Sequence, residues 1–449
     1  MNTAIGRQTN KSARLVDRLA PFSTFLTVWF GQMVSLLGSS MTGFALGVWI
    51  YQQTGSATSF ALILLANMLP KAVLAPFAGV AADRYNRRII MIATDLGAGL
   101  ATVLVAGLFI TGNMQVWHIY LLTAINASMG ALQGPAFGAS VTQLVPKAQL
   151  GRANGLMQLG GGVSQIAAPV LAGVLMAISG LAAVLLIDML SFLFAVGVLL
   201  LVRFPAVTSG NEAEAEGNGL SWVQQILQGV AYLRERPGLM GLVLVFSAVN
   251  FFVGMAEAVL TPLVLSFTTA DRLGVIMTIG GVGMLAGSIL MSVWGGGKRK
   301  VYAVFGAYAF LSLGVLLAGV APSIVVITVA VFLAFFFLPI VMSASQAIMQ
   351  AKVPANIQGR VFSFEMMLHT LAFGLAFLTA GFLADRIFEP LMAESGLLTG
   401  SVGLIIGSGA GRGMGLMFVL TGILALAVAT AALLNPRIRN VDTEVPDAV

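Results

Sequence analysis

Long apolar stretches alternate with short polar turns along almost the whole chain. Each stretch is close to the ~20 residues that a helix needs to cross the hydrocarbon core of a bilayer. The pattern predicts twelve membrane spans, at 23–50, 56–82, 89–111, 115–141, 153–179, 181–203, 239–267, 273–294, 301–320, 322–350, 361–388 and 413–434. The expected fold class is therefore an all-α polytopic membrane protein with twelve transmembrane helices.

Composition narrows the class further. Of the 449 residues, 58% are hydrophobic and 9% are charged, a balance that would leave a soluble domain with a very large apolar surface. The spans leave no length for a catalytic domain outside the membrane, so we expect no enzyme activity. The chain has 0 Cys and no clustered metal ligands, and the Gly-rich stretch 407–413 lacks the spacing of a nucleotide-binding loop. We expect neither a cofactor nor a metal.

Basic residues predict the orientation, because cytoplasmic loops retain an excess of Lys and Arg. Of the 23 Lys and Arg residues, 19 fall on the termini and the even-numbered loops. The predicted outer side has only Arg272, Arg386 and Arg412, and Lys71 lies inside a span. We therefore expect a bacterial cytoplasmic (inner) membrane protein with both termini in the cytoplasm. The net charge of +6 follows from this topology and indicates no nucleic-acid partner.

An internal repeat divides the spans into two halves. Val145-Pro146, four residues, then Gly151-Arg152 recurs 208 residues later as Val353-Pro354, four residues, then Gly359-Arg360. Such repeats are typical of secondary transporters. The predicted segments are a cytoplasmic N-terminal segment 1–22, a six-helix half 23–203, a cytoplasmic linker 204–238, a second six-helix half 239–434 and a cytoplasmic tail 435–449.

The linker contains a short apolar pattern of its own. Trp222, Ile226, Val230 and Leu233 fall at helical spacing. This spacing predicts an amphipathic helix that lies on the cytoplasmic face of the membrane.

The segment 79–88, GVAADRYNRR, connects the second and third spans. It resembles the signature of the major facilitator superfamily, and the matching residues are Gly79, Asp83, Arg84, Arg87 and Arg88. Asn86 stands where the family has Gly, and we expect it to keep the turn because Asn tolerates a left-handed backbone. The resemblance implies a cytoplasmic gate in which Asp83 engages the start of the eleventh span near 357–360. The alternative is a basic cluster that only orients the loop.

The fifth span carries small residues that resemble the antiporter motif of the same superfamily. Its members are Gly155, Ser164, Ala168, Pro169, Ala172 and Gly173. Small residues let helices approach closely, and we expect Gly280, Gly283 and Gly287 of the eighth span to form the partner face. Ordinary helix packing is the alternative.

Four longer segments resemble one branch of the superfamily, the drug:proton antiporters that include macrolide efflux proteins and the enterobactin exporter. They are PFAGVAADRYNRR, GRANGLMQ, IDMLSF and GFLADRIFEPLM. Substrates in this branch differ widely, so the resemblance implies export without naming a ligand.

Polar residues form stripes at three- and four-residue spacing on four spans. The candidate cavity-lining residues are Gln32, Ser35, Ser39 and Thr42 on the first span, Thr123, Asn126 and Gln133 on the fourth, Ser247 and Asn250 on the seventh, and Ser343, Gln346 and Gln350 on the tenth. These spans correspond to the helices that line the cavity in the superfamily. Each stripe alone is a weak signal, because Ser and Thr often bond their own backbone.

Ionisable residues inside spans are candidates for proton coupling, because they are costly in lipid. Glu257 continues the stripe of the seventh span, and a helix-end carboxylate that faces outer water is the alternative. Glu365 and His369 are four residues apart on the eleventh span, a spacing that suits a proton relay with Lys71 as a possible ion-pair partner. A static pair, or a Lys that reaches the interface, is the alternative.

Two further acids lie within spans. Asp95 is two turns from Arg88, and we expect it to join the cytoplasmic charge network. We expect Asp188 of the sixth span to be structural.

These observations predict a secondary active transporter. We expect proton-coupled export of amphipathic small molecules, drug-like, macrolide-like or siderophore, by alternating access. The expected partners are a small-molecule substrate, protons and the lipid bilayer, and the expected state is a monomer. The alternatives are a lipid or lysolipid transporter of the same fold, or a non-transporting membrane scaffold or receptor.

Overall fold

The computed structural model describes the backbone of residues 5–146, 149–202, 204, 222–297 and 299–446. Within these ranges all regular structure is helical. The long helices are α1 (Ile5–Thr54), α2 (Ala57–Arg84), α3 (Arg87–Ile110), α4 (Val116–Leu144), α5 (Leu150–Leu201), α6 (Trp222–Arg234), α7 (Pro237–Leu265), α8 (Ala270–Trp294), α9 (Lys300–Val320), α10 (Ile324–Lys352) and α11 (Ala355–Leu383). A π-helical turn (Ala384–Phe388) then leads into α12 (Glu389–Met392), α13 (Gly403–Ile406), α14 (Arg412–Leu434), α15 (Pro436–Arg439) and α16 (Val441–Glu444).

The helix lengths agree with a twelve-span fold. In the described part of the chain, 10 helices are long and apolar enough to cross a membrane. One of these, Arg152–Leu201, contains two predicted spans, because α5 bends at Gly180 (φ 72°), a backbone conformation that Gly adopts easily. The 29-residue helix α4 coincides with a further predicted span. The all-α, twelve-span prediction is confirmed.

Residue contacts divide the chain into two compact units. The first unit is Met1–Leu46 with Ala66–Gly210, and the second is Gly47–Leu65 with Asn211–Val449. The end of α1 and the start of α2 therefore belong with the second unit, a division that the repeat did not predict. The domain limits drawn from the sequence stay predictions.

The first unit has an apolar core at one end of its helices. Phe25 and Val28 of α1, Met91 of α3 and Leu199 of α5 are each 0% exposed and pack together. Burial of this kind orients α1 and α3 toward each other, and that orientation also fixes the polar residues further along both helices.

The linker helix α6 packs on protein. Leu233 is 0% exposed in the core of the second unit, and the Tyr232 hydroxyl donates to the Lys352 carbonyl (2.9 Å). A Cβ on Gly229 would approach the Arg360 carbonyl to 2.7 Å, so α6 touches the start of α11. Part of the apolar face of α6 therefore packs on protein, and the placement of this helix on the cytoplasmic face of the membrane stays a prediction. The segment 205–221 and the side chains of Trp222 and Ile226 lie outside the described residues.

The tail after α14 also folds onto the second unit. Ile438 and Val441 are buried. The Lys352 ammonium donates to the carbonyls of Asp442 (2.8 Å) and Val445 (2.6 Å), and the Asp442 carboxylate accepts from Val301 N (3.0 Å). The start of the predicted tail is therefore part of the packed unit up to Val445.

Glycines of α8 bring this helix into direct contact with α10. A Cβ on Gly283 would lie 2.7 Å from the Phe332 carbonyl oxygen, and a Cβ on Gly287 would overlap the Phe336 carbonyl oxygen. Gly280 faces Val331 in the same way. The expectation that this face receives the fifth span is wrong, because α10 already fills it.

We expect Gly287→Ala to lower the melting temperature of the detergent-purified protein. The added methyl group would press on the α10 backbone, and overpacking of this kind costs about 1–3 kcal/mol. Gly306→Ala in α9 is the control, because no atom lies within 4 Å of its ideal Cβ position. Equal melting temperatures for the two variants would show that α8 and α10 can separate enough to accommodate a methyl group without loss of stability.

Candidate functional site

A polar cluster lies inside the first unit, where α1, α3 and α4 meet. Asp95 of α3 is 0% exposed. Its Oδ2 accepts from Gln32 Nε2 (2.9 Å) and its Oδ1 accepts from Gln133 Nε2 (2.6 Å). Gln133 Nε2 also donates to Gln32 Oε1 (2.6 Å), which closes a triad of one carboxylate and two amides. Two predicted cavity-lining residues are therefore partners of a buried acid.

The triad corrects the expected role of Asp95. Arg88 does not pair with it, because the Arg88 guanidinium donates to the carbonyls of Leu199 (2.8 Å) and Leu200 (2.9 Å) at the end of α5. Asp95 forms no ion pair with any described residue. It lies deeper than the cytoplasmic charge network to which the sequence assigned it.

A second buried acid, Asp188 of α5, lies two turns further along the contact between α1 and α3. Asp188 is 0% exposed and accepts from Thr102 Oγ1 of α3 (3.1 Å) and from Ser39 Oγ of α1 (3.4 Å). Gly38 leaves room for it, since a Cβ there would lie 3.0 Å from Asp188 Oδ1. The other stripe residues of α1, Ser35 and Thr42, are buried as well.

One of the antiporter-like small residues, Ser164, contacts α1 inside the first unit. Ser164 Oγ hydrogen-bonds Ser40 Oγ (2.9 Å) and donates to the Leu36 carbonyl (3.3 Å). Ala168, Ala172 and Gly173 are buried, Pro169 is half-buried, and Gly155 is exposed. Ser164 therefore takes part in packing on α1, and the part of the motif in antiport stays a prediction.

The loop motif 79–88 is described only in part. The side chains of Asp83 and Arg84, and the surroundings of Gly79, lie outside the described residues, so the predicted gate contact stays a prediction. Arg87 Nη1 donates to the Ala139 carbonyl of α4 (2.7 Å).

Asn86 does not adopt the left-handed conformation expected from the sequence. Its φ is −62° and ψ is 113°, and its side chain accepts from Arg88 N (3.0 Å) as the N-cap of α3. Asn suits this position because a side-chain oxygen satisfies a free backbone N–H at a helix start.

The seventh predicted span, α7, presents an acid without a partner. Glu257 makes no hydrogen bond or ion pair with a described residue. Glu257 is exposed, whereas its neighbours Ala256 and Ala258 are buried. Asn250 is half-buried on the same helix, and Ser247 Oγ bonds its own backbone at Val243 (2.9 Å), the weak case anticipated for such stripes.

The proton-relay candidates of α11 lie partly inside the protein. Glu365 and His369 are both half-buried, and His369 Nε2 is a buried nitrogen without a hydrogen-bond partner among the described residues. Lys71 Nζ donates to Asn67 Oδ1 (2.8 Å) one turn earlier on α2. The relay and the Lys71–Glu365 ion pair stay predictions.

The stripes on α10 and α4 differ in exposure. Ser343, Gln346 and Gln350 are all exposed along one face of α10, opposite the buried Ala344 and Ile348. Thr123 and Asn126 of α4 are half-buried, and Asn126 Oδ1 has no hydrogen-bond partner in the described part of the chain.

A third acidic group lies where α11 ends, within the second unit. The Asp385 carboxylate accepts from Ser56 Oγ (2.7 Å), Ala57 N (3.0 Å), Thr58 N (2.9 Å) and Thr58 Oγ1 (2.6 Å). Free N–H groups and the positive end of the helix dipole favour a carboxylate at a helix start. Asp385 therefore supplies, from another helix, the N-terminal cap of α2.

Glu389, one turn later, plays the same part for α14. Its two carboxylate oxygens accept from Gly411 N (3.0 Å) and Met414 N (2.9 Å). Gly411 has a positive φ of 78°, which lets the chain turn sharply into α14. Asp385 and Glu389 together are called the capping pair below.

A cleft of about 790 Å³ opens beside the capping pair. Tyr51, Ser56, Ser266 and Thr269 line it together with both carboxylates. Three connections meet here, those after α1, after α7 and after α11. These connections fall on one side in the predicted topology, so the structure agrees with the predicted alternation of loops. Among the described residues, no group of three His, Asp or Glu side chains could hold a metal ion.

Comparison with known proteins identifies the family. The family model described as Major Facilitator Superfamily matches residues 28–377. The chain belongs to the major facilitator superfamily. The resemblance drawn from the loop motif is confirmed, as is the absence of enzyme activity, because members of this superfamily are transporters. The protein is thus a polytopic membrane transporter of small molecules.

Individual relatives within the superfamily are efflux proteins. The chain is 28% identical to macrolide efflux protein A of Streptococcus pyogenes over 372 residues, which are 81% of this chain and 90% of that protein. It is 24% identical to the multidrug efflux pump Tap of Mycolicibacterium fortuitum over 382 residues, 80% of this chain and 89% of that protein.

A solved structure of the superfamily has a similar fold. It is a bacterial homologue of the human lysosomal transporter Spinster in an inward-facing, unoccupied conformation. The TM-score is 0.70 at 14% identity, over 95% of this chain and 98% of that chain. This likeness shows the fold alone.

The capping pair was not predicted as a site from the sequence. The segment GFLADRIFEPLM contains both acids and was used only to recognise a branch. Two acids four residues apart, just after an apolar span, were the available signal. Their partners could not be read from the sequence, because Ser56 and Asp385 are separated by 329 residues.

We expect Asp385→Asn to lower the melting temperature of the purified transporter. The amide would turn an N–H2 group toward the N–H groups of α2, and an unsatisfied buried group costs about 1–3 kcal/mol. Ser56→Ala should lower it less, because the backbone donors of Ala57 and Thr58 remain. Glu394→Gln on the same connection is the control, since Glu394 is exposed. An Asp385→Asn melting curve that matches the control would contradict the capping role.

Proposed function

We propose that this transporter exports amphipathic small molecules in exchange for protons, by alternating access. The similarity to macrolide efflux protein A and to the multidrug efflux pump Tap supports export of drug-like compounds. Both relatives are covered over about nine tenths of their length, so the similarity includes both six-helix halves.

The setting of Glu257 is the observation that supports proton coupling. It is an acid on a membrane-spanning helix, exposed on its unit and without a hydrogen bond or ion pair to the described residues. An ionised carboxylate within a membrane span is costly when no cation pairs with it, and uptake of a proton removes the charge. An acid in this setting can bind a proton on one side of the membrane and release it on the other.

Asp385 supports alternating access on the side that faces outward in the predicted topology. It ties the turn between α1 and α2 to the end of α11 through four hydrogen bonds. We infer that these bonds stabilise a state closed on this side and are lost when this side opens.

Inverted membrane vesicles that contain the protein test the proposal. A respiratory substrate acidifies the interior, and a pH-sensitive dye reports dissipation when macrolides, lipophilic cations or siderophores are added in turn. We expect one compound class to dissipate the gradient in wild-type vesicles. Glu257→Gln should abolish that response, because the amide cannot carry a proton, while the exposed Glu394→Gln should keep it.

Two outcomes would argue against the proposal. If no compound changes the gradient although the protein is folded, proton-coupled export of these classes is wrong. Retained dissipation in Glu257→Gln would show that another residue carries the proton. Fluorescence-detected size-exclusion profiles of all variants establish that the protein is folded in each case.

A further inference from the structure

Two buried acids repeat along one helix contact of the first unit. On α3, Asp95 and Thr102 are seven residues apart, and on α1, Gln32 and Ser39 are seven residues apart. Gln32 donates to Asp95, whereas Ser39 and Thr102 both donate to Asp188. Seven residues are about two helical turns, or ~10 Å. The α1–α3 contact therefore holds Asp95 and Asp188 at two levels, each bonded only to neutral side chains.

We propose that Asp95, with the amides of Gln32 and Gln133, is a proton-binding site of the first unit. The claim rests on the proton coupling proposed above for its role in transport, whereas proton binding at Asp95 can be measured by itself. The sequence assigned Asp95 to a surface charge network, so this site is additional to Glu257 and to the α11 pair.

No described Lys, Arg or His side chain pairs with the Asp95 carboxylate. Neither α4 nor α1 from Phe22 to Thr54 contains an Asp, Glu, Lys or Arg. On α5 the charged residues are Arg152 near its start and Asp188, which is itself an acid. His118 and Tyr120 are the titratable groups of α4 and lie near its first turn, about four helical turns from Gln133.

The two Arg residues at the start of α3 are engaged elsewhere. Arg87 donates to Ala139, and Arg88 donates to Leu199 and Leu200. Among the described residues, the partners of Asp95 are therefore the two amide donors. Hydrogen bonds from neutral groups compensate part of the cost of burying an ionised acid, and a bound proton removes the charge itself.

Amide partners suit an acid that changes protonation state. A carboxamide presents two N–H donors on one side and an oxygen acceptor on the other. As arranged here, Gln32 and Gln133 donate to the two oxygens of an ionised Asp95. Rotation of the Gln133 amide by half a turn would present its oxygen to the O–H of a protonated Asp95. Both states then keep hydrogen bonds, and the change is transmitted to α1 and α4.

Infrared difference spectroscopy between acid and alkaline pH tests the site without any transported compound. A protonated carboxylic acid has a C=O band that disappears on ionisation. We expect Asp95→Asn to remove one such band from the spectrum of the purified wild-type protein. Asp188→Asn is the matched control, because Asp188 of α5 is a second buried acid that bonds to α1 and α3, and it should leave the Asp95 band in place.

A second variant keeps the test decisive if Asp95→Asn does not fold. Gln133→Leu removes the donor to Oδ1, so the ionised form loses a partner and the Asp95 band should persist to higher pH than in the wild-type protein. An unchanged titration in Gln133→Leu would overturn the proposal. A titration that shifts with added NaCl but not with choline chloride would also overturn it, because the site would then bind sodium.

The vesicle assay measures whether Asp95 takes part in coupled transport, whereas the infrared band measures proton binding at Asp95 itself. If a compound drives proton movement in wild-type vesicles, Asp95→Asn should reduce that movement to the level of vesicles without the protein. Full activity in Asp95→Asn would overturn the role of Asp95 in coupling. If no compound is active, the proposed export fails, while the infrared band still decides whether Asp95 binds a proton.

Discussion

Lipid hydrocarbon offers no hydrogen bonds, and this constraint shapes every level of the molecule. Backbone N–H and C=O groups must be satisfied inside the protein, which accounts for the helical structure of the membrane spans. The same rule governs helix ends and side chains. Asp385 and Glu389 satisfy the free N–H groups of α2 and α14, and two Gln residues satisfy Asp95. Asp385, Glu389 and Asp95 therefore lie where backbone or amide N–H groups donate to them.

Much of the fold could be predicted from the sequence because membrane spans are recognised by their length and apolar composition. The twelve spans, the boundary at Gly180 and the superfamily followed from patterns within about twenty residues. The contact units could not be predicted in the same way. Residues 47–65 join the second unit through partners such as Asp385, and no local pattern reveals a partner more than 300 residues away.

The candidate sites were predictable to a lesser degree. The polar stripe of α1 was visible at three- and four-residue spacing, but the direction it faces depends on α3 and α5, so Gln32 and Ser39 turned out to be partners of Asp95 and Asp188. Asn86 was placed in the correct turn with the wrong conformation, because its cap bond to Arg88 competes with the left-handed alternative. Small residues indicated that helices approach closely, but they did not indicate which helices do so. The α8 glycines contact α10.

The glycine contact between α8 and α10 restricts how the second unit can move. Gly283 and Gly287 place the backbone of α8 against carbonyl oxygens of α10. Backbones in direct contact leave little space for side chains to rearrange between the two helices, so we expect α8 and α10 to move together. Bending during a transport cycle is then left to helices with interruptions of their own, such as the π-helical turn that follows α11.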